Sequence, residues 1–233
     1  MAGKAKKNAQ ELILEVLEKK ASTKQDIYAL LRSQFAVLKE VVQEIANDLE
    51  ERMKATDPRV SILFRDKGEM SCDLKVAGDT IIFHMHSNVF RLDQSHSLWK
   101  GTYLEEDETR GYFGIVNMYN FLSDSFKYNR ERDLGYLVAR LFLNKEDHFF
   151  LQGKRQLGFL YNDLPDSKLD RVQMRNIVES VILHVLNFDL LVPPYEQTNQ
   201  VTVMEINELN ANVKISTGKR LGFRFQTEGE DIE

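Results

Sequence analysis

The sequence predicts an α+β protein: an N-terminal helical hairpin with one long helix, then a mostly antiparallel sheet of six or more strands packed against a helix in the C-terminal half. Three observations predict it. Apolar residues recur at helical spacing up to about Thr56, the pattern switches to period two after Asp57-Pro58, and a second helical stretch follows Asp166-Ser167. Three regions result: a helical segment over residues 1–57, an antiparallel α+β domain over 58–227 and an acidic tail over 228–233.

In the first region Leu12, Ile13, Val16 and Leu17 share one helix face, and Ser22 or Thr23 has the side chain to cap a second, longer helix. Within that helix Leu31, Phe35, Leu38, Val42, Ile45 and Leu49 alternate steps of four and three, which is a heptad seam. Two covers suit such a seam. The short first helix folds back over it, or a second copy of the chain pairs with it and residues 1–57 are a dimerisation element. Ile27, Leu30, Val37 and Val41 widen the stripe, so one flank is expected to lie on the sheet.

Residues 60–64, 70–76 and 80–86 read as a β-meander with tight turns at Asp66-Lys67-Gly68 and Ala77-Gly78-Asp79. From 87 to 111 the regularity fails, and Trp99 and Tyr103 stand beside an acidic run at 105–108. This segment reads as a lid or partner-binding loop, or as a solvated acidic insertion with some strand around 98–104. Residues 112–122, 134–143, 148–152 and 157–161 read as further strands, the second and third joined by a turn at 144–147; in the first, Ile115, Met118, Tyr119, Leu122 and Phe126 also fit one face of a helix, and Gly114 and the aromatic enrichment favour the strand. Asp166 or Ser167 caps a helix whose face carries Leu169, Val172, Ile177, Val181, Ile182 and Val185 and which stops before Pro193-Pro194. Short strands are expected at 201–206, 213–215 and 221–225.

The chain has 233 residues, 42% of them hydrophobic and 29% charged, an ordinary globular balance with room for a sizeable core. Its one cysteine, Cys72, excludes an intrachain disulfide and a zinc site built on several thiolates, and suits a reducing compartment. Glu15 interrupts the apolar stretch after the basic start, so no export signal is read there, and no apolar run approaches the roughly 20 residues of a membrane span. A cytoplasmic location is the expectation. A net charge of -5 argues against a surface that coats nucleic acid all over, without excluding a local basic site.

His84-Met85-His86 places two imidazoles on one side of a strand, the arrangement that offers both to one metal ion. With Gly78 ahead of it, Gly78-x5-His84-x-His86 resembles the first part of the cupin metal motif, which implies a small β-barrel holding a divalent ion. The glutamate of that motif is replaced by Phe90 or Arg91, leaving Asp93 and His96 as the remaining ligand candidates if the loop folds back. Gln152-Gly153-Lys154 resembles the strand end of restriction-type nucleases, where the amide or acid helps to hold a metal and the lysine stabilises charge at the phosphate. That resemblance also needs an acidic residue from a neighbouring strand, and Asp133 and Asp147 are near in sequence.

Two segments place a glycine and a basic pair ahead of Leu-Gly-Phe: Lys154 and Arg155 after Gly153, and Lys219 and Arg220 after Gly218. With Lys127 and Arg130 interleaved with Phe126 and Tyr128, they outline a cationic, aromatic surface for phosphate groups or single-stranded nucleic acid. The same residues also serve as turn glycines and as charges that protect strand edges. No nucleophile elbow or phosphate-cradling glycine loop is present, and no cofactor is indicated. The leading expectation is a non-enzymatic interaction, regulatory or ligand-binding module with a protein or small-molecule partner, dimerising through Leu31 to Leu49 or contacting a partner through Trp99 and Tyr103. A metal-dependent hydrolase or nuclease at the His-x-His strand and a nucleic-acid binder at the basic turns are the alternatives.

Overall fold

The computed structural model describes residues 8–153 and 163–189, together with 195 and 200–204. It is an α+β fold. Helix α1 (Ala9–Val16) opens on a capping box between Asn8 and Glu11 and runs through a five-residue π turn (Leu17–Ala21) into helix α2 (Ser22–Thr56). The expected hairpin is thus one continuous helix. Thr23 does not act as a cap: its hydroxyl donates back to the Lys19 carbonyl at 2.7 Å, and Ser22 keeps right-handed helical angles, so nothing reverses the chain there. The π turn takes up one extra residue, which rotates the apolar pattern before it by roughly 100° from the pattern after it. None of α1 is buried.

Strands β1 (Ile62–Asp66), β2 (Ser71–Val76), β3 (Asp79–Met85), β4 (Phe90–Arg91), β5 (Tyr112–Leu122), β6 (Tyr136–Leu143) and β7 (Phe149–Gly153) form one sheet of order β1-β2-β3-β5-β6-β7, with β4 paired to the start of β5. Every described pairing is antiparallel. Period-two alternation makes one face apolar. Phe64, Leu74, Ile81 and Asn120 lie in one cross-strand row, and Cys72, Phe83 and Met118 in the next. Gly68 takes the left-handed region at φ 94 in the first turn, whereas in the second it is Ala77, at φ 53, that does so.

Helix α2 and helix α5 (Arg171–Leu186), which follows the short helices α3 (Thr102–Glu106) and α4 (Ser123–Lys127), cover the apolar face. The seam residues Leu31, Phe35, Leu38, Val42 and Ile45 are buried with sheet residues such as Leu74, Phe83 and Leu141 and with Met174, Ile177 and Val181 of α5 in a single core. Each such Leu or Phe contributes about 1.5–3 kcal/mol by leaving water. The seam is therefore consumed within the chain, which corrects its reading as a contact for a second copy; Leu49 packs half-buried at its end. Gly114 lets α2 approach β5, since a Cβ there would lie 2.8 Å from Leu31 Cδ2. Arg171 reaches Glu40 and Glu44, and Arg175 reaches Asp48, clamping the two helices.

Helix α5 is capped by Asp170, whose carboxylate accepts from the Gln173 amide at 2.7 Å, and not by Asp166 or Ser167. The backbone at 167–169 is engaged elsewhere: Ser167 accepts from the Phe149 amide, and Leu169 donates to the Asp147 carbonyl. Val172 points to solvent, off the face expected for it. Val203 and Met204 are helical and exposed, so the strand expected at 201–206 does not start there. The strands expected at 157–161, 213–215 and 221–225 and the tail at 228–233 lie outside the described residues.

Residues 92–111 fold into a 3-10 turn (Ser97–Lys100), α3 and a second 3-10 turn (Glu108–Gly111), where strand was expected around 98–104. Side-chain caps start these turns: His96 Nδ1 accepts from the Leu98 amide and Asp107 from the Thr109 amide. The segment covers a second core of Leu104, Phe113, Phe150 and Leu164 on the sheet face opposite the helices. No described helix is long and apolar enough to cross a membrane.

Candidate ligand-binding groove

The segment at 92–111 closes only half of the outer sheet face. Its attachment is polar and dense. Tyr103 donates its hydroxyl to Glu146 and accepts from Asn144 Nδ2, both at 2.9 Å, while Arg110 Nε donates to Glu146 and its Nη1 to the Tyr103 carbonyl. Lys145 Nζ meets Asp107 at 2.5 Å and the Thr109 hydroxyl at 2.7 Å. Burial alone would raise Asp107 and Glu146, but these bonds outweigh it and hold both carboxyls below the usual range. Trp99 donates to the Leu92 carbonyl and lies against Gly111, where a Cβ would clash with its ring at 2.6 Å. Trp99 and Tyr103 are thus turned onto the sheet, each half-buried.

The other half of the outer face is not covered by this segment. Strand parity places Leu63 and Arg65 of β1, Asp73 and Lys75 of β2, Thr80, Ile82 and His84 of β3, and Asn117, Tyr119 and Phe121 of β5 on it. At the end where β2 turns into β3, helix α4 rises beside the sheet, fixed by the Ser123 amide on the Gly78 carbonyl and by a 2.9 Å hydroxyl pair between Ser123 and Thr80. Between α4 and β1 lies a cavity of about 530 Å³ lined by Leu63, Arg65, Lys75, Leu122, Phe126 and Lys127 among others. That volume falls in the ordinary range for small-molecule sites.

Its electrostatics are one-sided. Lys75 has no ion pair or hydrogen bond among the described residues. Arg65 Nε stands 3.8 Å from Asp73 Oδ2 and is buried without a hydrogen-bond partner among the described residues. Asp73 is shared with Lys67 at 3.7 Å, and its burial pushes its carboxyl up despite both cations. Lys127 lies over the Tyr128 ring at 4.9 Å, and the Tyr128 hydroxyl and Asp124 raise its ammonium. Asp124 is the sole carboxylate among the lining residues, against three cations. Further along the face, Arg140 of β6 pairs in register with Asn117 and Gln152 and has a buried Nε with no hydrogen-bond partner among the described residues.

Of the residues singled out in sequence, Lys127 and its neighbour Phe126 enter this groove. Arg130 instead turns inward to Asp133 at 2.8 Å, both side chains almost fully buried. Lys154, Arg155, Lys219 and Arg220 lie outside the described residues. His84 is exposed mid-face, next to Asn117 in register, while His86 Nδ1 accepts from the Asn88 amide and its ring packs edge-on against Phe90. Asp93 is spent on the Ser95 amide and hydroxyl. The four residues are thus not brought to one point, and no group of three metal-binding side chains occurs among the described residues. Arg65 and Lys75 were missed because each, singly, reads as an outward strand residue; only the two-residue parity of β1 and β2 could have put them together.

No protein family, curated protein or solved structure matches the chain.

Proposed function

We infer that the protein is a non-enzymatic ligand-binding module whose groove takes a small anionic amphiphile, an apolar body carrying a carboxylate or phosphate. The observation that carries this reading is the set of Arg65, Lys75 and Lys127 around an apolar floor of Leu63, Leu122 and Phe126, with one carboxylate to balance three cations. Three cations against one lining carboxylate, with Lys75 lacking an ion pair among the described residues, favour an anion in this concave, half-apolar site, and the apolar floor favours a ligand with more than a headgroup. A protein of net charge -5 keeps such a positive site only locally, which separates this reading from general nucleic-acid coating. A reducing, cytoplasmic setting fits the lone buried thiol.

The test is a fluorescence titration with anilinonaphthalene sulfonate, competed by decanoate and by decanol. The expected result is saturable binding that decanoate displaces and decanol does not. Weakening by about tenfold, or roughly 1.4 kcal/mol, is expected for Lys75→Glu and for Lys127→Glu. Binding that is absent, or indifferent to both substitutions, overturns the reading.

A further inference from the structure

The outer sheet face carries one polar row outside the groove. Strand register aligns Ser71, His84, Asn117, Arg140 and Gln152 from β2 across to β7. Apolar pairs flank the row on both sides, Ile115 with Phe142 towards the 92–111 segment and Ile82 with Tyr119 towards the groove. Outward polar residues of a sheet ordinarily take their hydrogen bonds from water, and two of these are largely shut off from it. Asn117 is only 8% exposed and Arg140 Nε is buried, and neither side chain has a hydrogen-bond or ion-pair partner among the described residues. A guanidinium keeps its charge at any ordinary pH, so Arg140, half-buried and without a carboxylate beside it, is a cation short of its counter-ion.

We propose that this row is a second anion site, anchored by Arg140, that takes a compact oxyanion, a phosphate or carboxylate group. The guanidinium fork matches a pair of anion oxygens, and the Asn117 amide and His84 imidazole add N–H donors beside it. His84, Asn117 and Arg140 sit on adjacent strands spaced by roughly 4.8 Å, which lets all three side chains converge on one such group. No residue of the row is acidic, so a cation finds no ligand charge there and meets Arg140 instead. The flanking apolar pairs keep the polar strip one residue wide, which suits a single headgroup. Lys75 of the groove lies three strands from Arg140 and in register with Thr80, four residues before His84 on β3, a separation of roughly 20 Å. The two sites are therefore distinct.

The test is a titration of the isotope-labelled full chain with inorganic phosphate, and separately with acetate, at ionic strength held constant with chloride. The side-chain resonances of Asn117, Gln152 and Arg140 report on the row. A saturable shift with phosphate or acetate is expected, and the tighter of the two names the headgroup class. Arg140→Gln, and Gln152→Glu on an exposed side chain that the core does not need, should each weaken it by roughly tenfold or more. Lys75→Glu should change it by less than about twofold, because the groove is far away. Shifts that never saturate, or that chloride reproduces, overturn the proposal. So does unchanged affinity in Gln152→Glu, or a loss in Lys75→Glu as large as in the row variants, which would put the anion in the groove. Anilinonaphthalene sulfonate reads the groove, so failure of one site is distinguishable from failure of the other.

Discussion

Tyr103 lies flat against His148, the ring centroids 5.1 Å apart and the planes 19° from parallel. This stack joins the segment over the outer face to the turn between β6 and β7, and the Tyr103 hydroxyl bridges Glu146 and Asn144 in the same place. Tyr103→Phe should keep the stack and lose both bonds, costing about 1–2 kcal/mol in urea unfolding. Tyr103→Ala should cost about 3–5 kcal/mol by opening a hole as well. Hydrogen exchange should show amides at 98–110 losing protection before those of β2 and β3; a uniform loss would mean that the segment is not a separate unit.

The same attachment is acid-sensitive. Asp107 and Glu146 are held below their unfolded values, so their contribution is complete above about pH 5 and fades as pH falls through the lowered folded values. Trp99 is the sole tryptophan and sits within this segment, so its fluorescence reads the event directly. A red shift is expected on acidification below about pH 4, and it should begin at higher pH in Arg110→Met, which strips Glu146 of its main partner. Emission that follows global unfolding at every pH would show that the carboxylates act on the whole fold.

Ala77 bears a left-handed backbone at φ 53 in the β2–β3 turn. A Cβ is disfavoured there by about 1 kcal/mol, so Ala77→Gly should raise stability by about 0.5–1 kcal/mol. Because Ala77 also lines the groove, the variant should leave anilinonaphthalene sulfonate binding unchanged if the turn keeps its shape.

Two substitutions separate the two ends of the long helix. Leu38→Ala, in the core against the sheet, should cost about 2–5 kcal/mol, whereas Leu12→Ala on α1 should change the stability of the isolated body by less than about 0.5 kcal/mol. Gly114→Ala should cost about 1–3 kcal/mol by driving a methyl against Leu31, and Leu31→Ala in the same chain should return part of it. Strict additivity would show that the clash is relieved elsewhere.

Regular segments were legible because their signals are local. Gly114 and the aromatic enrichment of 112–122 favoured a strand over a helix there, and β5 has those bounds, while the turn at 144–147 separated β6 from β7. The seam at Leu31 to Leu49 was equally legible as a pattern, yet a pattern of apolar steps does not say which surface lies on it, and here that surface comes from β1, β2, β3, β5 and α5. Ser22-Thr23 misled because a hydroxyl that caps a helix start and one that bonds back to a carbonyl four residues earlier look the same in sequence. The groove was not legible at all beyond Phe126 and Lys127, since its wall draws on residues near 63, 75 and 122, brought together only by strand pairing.

Cys72 gives the molecule a built-in timekeeper. It lies near the start of β2, in the core under α2 and with no exposed surface, and burial pushes its thiol up to about 12, so in the closed protein it meets no reagent as a thiolate. Labelling by a disulfide reagent must wait for the helix layer to lift off the sheet, and under excess reagent its rate is the frequency of that event. One cysteine, read with a stopwatch, thus separates the slow breathing of the core from the quicker opening that Trp99 reports on the opposite face.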